Sequence, residues 1–156
     1  MYGKNAHNTY QTVQVTTTDR GRLLLMMYEG GLKFLKQAKV GLEANDMAKF
    51  CRFLSKGQAI IAELMNTLDF EKGGEIAKDL DRLYDFMLFY LTEANLYRDA
   101  ERVGKVIAHL ETIYASYKQI IEGEHAQQIE SKAKQQPSSK KGNASEEAAP
   151  RVQISL

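Results

Sequence analysis

Between Leu24 and Ile121 the apolar residues recur at steps of three and four, the period of helices that each bury one face. In the first segment Leu24 or Leu25, Tyr28, Gly31 or Leu32, Leu35, Ala38 and Leu42 keep this spacing. Asp19 is placed to cap the orphan amides of the first turn, which predicts a helix from about Arg20 to Ala44. The second segment repeats Phe50, Leu54, Gly57, Ile61, Leu64 and Leu68, opens at the capping residues Asn45 and Asp46, and ends near Asp69. Gly73 and Gly74 then supply a break, after which Ile76, Leu80, Leu83, Met87, Tyr90 or Leu91, and Ala94 carry a third helix to about Arg98. Asp99 caps a fourth, striped by Val103, Ile107, Leu110, Tyr114, Tyr117 and Ile121 and stopped by Gly123. Four helices of about 22 residues are each about 33 Å long. Their connections of about two to six residues force consecutive helices to turn back on each other. The predicted fold is all-α, an antiparallel up-down-up-down four-helix bundle, with Gly31 and Gly57 on the inner stripes where helices approach closely.

The third segment carries more apolar surface than one face needs. Leu83 to Leu91 reads LYDFMLFYL, with eight of nine residues apolar. A helix apolar all round is either enclosed or offers a face to something else, and full enclosure does not suit so small a bundle. Phe86 and Phe89 share a face outside the Leu83, Met87, Ala94 stripe. Leu23 with Met26 or Met27 is a similar excess on the first helix, and methionines adapt to varied apolar ligands. Two such faces predict a long groove for an amphipathic helix or an extended apolar segment. The first 18 residues, rich in Asn, Thr, Gln and Tyr, read as a flexible segment or as a strap. A strap would lay Tyr10, Val13 and Val15 in that groove until a partner displaces them.

Composition narrows the classes. Both prolines, Pro137 and Pro150, lie beyond the helical block, and after Glu122 aromatics vanish while Ser, Lys, Gln, Glu and Ala take over. The expected organisation is therefore a segment over 1–18, the bundle over 19–122 and a disordered tail over 123–156. A net charge of +1 argues against nucleic acid as the ligand. A single cysteine, Cys51, fits a reducing compartment and reads as a small buried hydrophobe; no secretion signal is evident, so the cytoplasm is expected. The longest apolar runs are six residues, so no membrane insertion is expected. The Glu122-x-x-His125 pair has the form of a di-iron ligand motif but lacks its second copy, and no nucleophile elbow or phosphate loop occurs. No metal, cofactor or catalytic residue is predicted.

Four stretches in series resemble one family. Tyr10, Gln11, Val15 and Thr17 lead into LLLMMYEGGLKFLKQA (23–38), followed by IIAELMNTLD (60–69), LYDFM (83–87) and LTEAN (91–95). In order and distance these resemble the flagellin-specific export chaperones, the FliS family, over about Tyr10 to Ile121. The resemblance implies a small helical bundle that binds the C-terminal segment of flagellin, disordered when free. It further implies that the chaperone keeps subunits from polymerising in the cytosol and presents them to the gate of the flagellar type III export apparatus. Some members also touch an anti-sigma factor. This sequence departs from many members with Arg20 in place of proline, Val13 in place of asparagine, and Phe89 and Tyr90 in place of basic residues. The expected client contacts are Leu23, Met27, Tyr84, Phe86, Phe89 and Asn95, on a monomer or weak dimer. The alternative is a self-associating helical regulatory module, for example one that binds an anti-sigma factor.

Overall fold

The computed structural model describes the backbone of residues 17–154 and the side chains of residues 19–135. Four helices follow in order: α1 Thr17–Glu43, α2 Met47–Asn66, α3 Phe70–Tyr97 and α4 Ala100–Ile154. The chain divides into two compact units, Met1–Lys118 and Gln119–Leu156, of which the first holds the bundle. Among the described residues there is no strand, and the all-α four-helix bundle stands.

Short polar side chains set most of the helix starts. The Asp46 carboxylate accepts from the Lys49 amide at 3.1 Å, Asp69 accepts from Glu71 and Lys72, and Asp99 accepts from Glu101 and Arg102, each satisfying amides that have no partner inside the helix. Asp19 is not a cap, because α1 already begins at Thr17; its carboxylate sits in the first turn, where it complements the helix dipole. Asn45 (φ 58°) and Arg98 (φ 52°) turn the chain out of α1 and α3 through the left-handed region. Within α3, Gly74 leaves helical geometry (φ 50°, ψ −125°), so the predicted break is real. The helix nevertheless begins before it, under the Asp69 cap.

The core is a ring of four packed pairs. Leu35 of α1 lies against Gly57 of α2, where an added Cβ would stand 2.5 Å from the leucine Cδ2. One turn earlier on the same face of α1, Gly31 meets Ile60 of α2 and Leu110 of α4, at 3.0 and 3.5 Å from a Cβ built there. The α2 and α3 backbones pack together, and α4 closes the ring by setting Arg102 over the Tyr90 and Tyr97 rings of α3. In this order α1 and α3 are diagonal. Tyr28, Leu35, Phe50, Leu54, Ile61, Leu64, Met87, Leu91, Val103 and Leu110 fill the middle with no exposed surface worth the name.

Along α3 the buried positions are Ala77, Tyr84, Met87, Leu91 and Ala94, with Leu80 packed against the core. Leu80, Met87, Leu91 and Ala94 thus keep the predicted register; Ile76 is exposed with Ala77 buried in its place, and Tyr84 takes the innermost position beside a half-buried Leu83. Gly123 predicts a helix end, yet the α4 backbone continues through it. The Glu, Gln, Ala and Lys residues on either side are good helix formers and outweigh the roughly 1 kcal/mol that one glycine costs. From Glu122 to Gln135 every side chain is exposed.

Gly41→Ala should destabilise the bundle by about 1–3 kcal/mol, because its Cβ would stand 2.8 Å from the Phe50 backbone nitrogen, which cannot rotate away as a side chain can. Urea unfolding followed by circular dichroism measures this, and an unchanged midpoint would show that α1 and α2 can part at no cost.

Candidate partner surface

The inner face of α3 decides what its outer face shows. Tyr84, only 1% exposed, is hydrogen-bonded through its hydroxyl to the hydroxyl of Tyr28 across the bundle diagonal. The rings of Tyr114 and Tyr117 on α4 lie 6.2 and 5.7 Å from that of Tyr28. Burial pushes the Tyr84 hydroxyl up to about 12, against the loss of proton affinity that the Tyr28 hydrogen bond brings; burial and the same bond push Tyr28 higher still, and burial also raises Tyr117. Tyr84 is therefore a core residue, and it leaves the set of expected surface contacts.

With Tyr84 inward, Phe86 and Phe89 point out, 47% and 63% exposed. Phe86 stacks on Tyr90 at 5.1 Å between ring centroids, and exposed Leu96 and Tyr97 extend the stripe. Its α4 border is fixed by Arg102, whose guanidinium lies 5.4 Å from the Tyr90 centroid and 5.3 Å from that of Tyr97. Arg102 also pairs with Glu93 at 3.1 Å, a charge contact without a well-aligned hydrogen bond, and with Asp99 at 3.4 Å. The aromatic stripe is a supported shelf with rings held from below.

On α1, Leu23 and Met26 are 55% and 58% exposed, while Met27 is half-buried against the core. This strip runs on to Phe34, which meets Phe53 of α2 at 6.1 Å. The α1 strip therefore borders α2 and the α3 stripe borders α4. In a ring of four helices those borders lie on opposite flanks, so the two apolar faces are not one groove. Asn95 joins neither. It follows Phe86 by nine residues, half a turn round the helix, and its side chain accepts from Arg98 Nη1 at 3.1 Å. The same Arg98 nitrogen lies 3.6 Å from the sulfur of Cys51. Cys51 is exposed rather than buried, one residue beyond Phe50 and so turned toward Arg98 instead of the core. The strap residues Tyr10, Val13 and Val15 lie outside the described residues.

Among the described residues no group of three or more His, Cys, Asp or Glu side chains is placed to hold a metal, and no helix is long and apolar enough to cross a membrane. The family described as "Flagellar protein FliS" matches residues 3–124. The chain belongs to the FliS family. The flagellar secretion chaperone FliS of Campylobacter jejuni is 38% identical over 107 residues, covering 69% of this chain and 84% of its own. That of Salmonella typhimurium is 36% identical over 125 residues, covering 77% and 93%, and that of Bacillus subtilis 33% over 121 residues, covering 78% and 90%. FliS proteins are chaperones for flagellar secretion and not enzymes, which agrees with a surface built from aromatic and methionine side chains. Of the two methionines that the spacing leaves open, Met26 is the exposed one and Met27, expected as the contact, packs on the core, while no spacing signals the support that Arg102 gives. The heptad pairs Ala77/Leu80, Tyr84/Met87 and Leu91/Ala94 were the available signal for the α3 phase.

Tyr84→Phe should cost about 1–3 kcal/mol by leaving the Tyr28 hydroxyl buried without its partner, whereas Tyr28→Phe/Tyr84→Phe together should cost less than the sum of the single changes. Both tyrosines hold their protons more tightly in the folded state. Their contribution is complete below pH 10, the unfolded value, and falls as pH rises from 10 toward about 12. Thermal melts across that window should show the loss in the wild type and a weaker dependence in the double variant.

Proposed function

We propose that this chain is a cytosolic chaperone that binds the disordered C-terminal segment of flagellin, prevents its premature polymerisation and delivers it to the gate of the flagellar type III export apparatus. The observation that carries the reading is the Phe86, Phe89, Tyr97 stripe standing exposed on a helix whose other face is fully packed. Ordering a disordered segment costs about 2–5 kcal/mol of the gross interaction. Burying one large apolar side chain returns about 1.5–3 kcal/mol, so two or three seats on the stripe offset that cost. Engaging the Leu23 and Met26 strip as well requires the client to pass round the bundle. A segment of about 40 residues, at roughly 3.3–3.6 Å each when extended, has ample length for this.

Supporting the reading further are the family membership and the names of the relatives. An anti-sigma factor is a second client class that the same surface would admit. Self-association through the α3 stripe is the competing reading, because the exposed rings would serve a second copy equally well.

Calorimetric titration with a peptide of roughly the last 40 residues of the organism's flagellin should give tight one-to-one binding with a large negative heat-capacity change. Phe89→Glu should weaken that binding at least about tenfold while leaving the helical signal intact, since Phe89 supports nothing in the core. Absence of heat at any temperature, with light scattering showing a stable dimer, would instead assign the surface to self-association.

A further inference from the structure

The border of α1 and α2 carries charge as well as apolar surface. Between Asp46 and Glu63 the chain has no acidic residue, while Lys49, Arg52 and Lys56 recur at steps of three and four. That row extends about 10 Å along α2. The Arg52 guanidinium lies 4.9 Å from the Phe53 centroid, and Lys56 Nζ lies 5.5 Å from both Phe34 and Phe53. Ion pairs of the described residues use Lys36, Lys39, Lys78, Arg82 and Arg102; Lys49, Arg52 and Lys56 enter none of them.

Gly30 lies on the same outer face of α1, between Met26 and Phe34. A Cβ there would meet nothing within 4 Å, in contrast to Gly31, Gly41 and Gly57, whose neighbours leave no space for one. No internal contact accounts for a glycine at this helical position. It lowers the floor of the strip between Met26 and the Phe34–Phe53 pair.

We propose that this border is a docking site for an acidic amphipathic helix of a protein partner. Its apolar side chains seat on Met26, Gly30 and Phe34, and its carboxylates, at matching steps of three and four, meet Arg52 and Lys56. Charge complementarity selects this occupant: Arg52 and Lys56, held against aromatic faces, and Lys49 in the same row enter no ion pair among the described residues, and the N-terminal residues 1–16 of the chain contain no Asp or Glu to supply one. The site is separate from the α3 stripe but shares Met26 with the α1 strip, so an acidic helix docked here and a client segment on that strip exclude each other; the proposal rests on the chaperone reading only in taking the partner to be a polypeptide.

The test is a nuclear magnetic resonance titration of the full chain with a designed helical peptide of about 20 residues, a length that forms a helix alone. The peptide carries glutamates along one edge and leucines beside them, and its control replaces every glutamate by glutamine. Shifts should cluster at Gly30, Phe34, Phe53 and Lys56, weaken with added salt, and require at least about tenfold more of the glutamine peptide. Arg52→Glu/Lys56→Glu should abolish them. Gly30→Leu should raise the melting temperature and yet weaken binding, a combination that damage to the fold cannot produce. Equal binding of both peptides, shifts confined to the α3 stripe, or no shifts at millimolar peptide would overturn the proposal. Binding to phosphatidylglycerol vesicles but not to the acidic peptide would overturn it too, by assigning the cations to lipid. Flagellin binding that persists in Arg52→Glu/Lys56→Glu and is lost in Phe89→Glu leaves this outcome independent of the function proposed above.

Discussion

Two tyrosine hydroxyls buried where water does not reach have to find each other, and the rest of the bundle is arranged round that need. A hydroxyl left unpaired in such a place costs about 1–3 kcal/mol, roughly twice what a good hydrogen bond returns on balance. The Tyr28–Tyr84 bond therefore fixes more than a contact. It sets the rotation of α3 about its own axis, because only one angle brings Tyr84 to the diagonal. Once that angle is set, Phe86 and Phe89 have no place inside. The exposed aromatic stripe is the outer consequence of an inner polar constraint, transmitted through a rigid helix.

Close packing elsewhere keeps that angle. Leu35 against Gly57 and the Phe50 backbone against Gly41 hold α1 and α2 at a separation no larger residue would permit. Arg102 holds α3 and α4 together through two rings and the Glu93 carboxylate, and pairs locally with Asp99 at the start of α4. The charges are distributed to match: on the α4 side the cation is already answered by Glu93 and Asp99, while on the α2 side Arg52 and Lys56 meet only aromatic faces. The two flanks of one bundle thus differ in what they still lack, apolar cover on one and carboxylates on the other.

How far the fold was legible depended on how sharply each helix separates its faces. The inner stripe of α2 is narrow, and Phe50, Leu54, Gly57, Ile61 and Leu64 are buried as the spacing predicts. The helix caps at Asp46 and Asp99 follow from residue type alone. In α3 the apolar residues cover almost the whole circumference, so periodicity could not distinguish Leu83 from Tyr84 as the inner residue. The polar tip of tyrosine favours the surface when considered alone; only a second buried tyrosine, from α1, makes the interior acceptable. Helix phase decided Cys51, which lies one residue past the buried Phe50 and so off the inner stripe, and pairings between distant helices decided the loss of a single groove, which depends on the neighbour each strip has around the ring. The exposure of Phe89 and Leu23 was legible because they fall outside every stripe.

Placing the two apolar strips on opposite flanks changes how a bound segment would let go. A chain seated on both is held as a bivalent ligand is, since either half, once freed, remains tethered near its own seat at high effective concentration. Spontaneous escape then needs both halves to leave together and is slow. A pull applied to one terminus acts differently: it lifts one half, prevents its return, and leaves the second half with only its own affinity to resist. Under the proposed function, an arrangement that would retain a client against thermal motion would yield readily to peeling from an end.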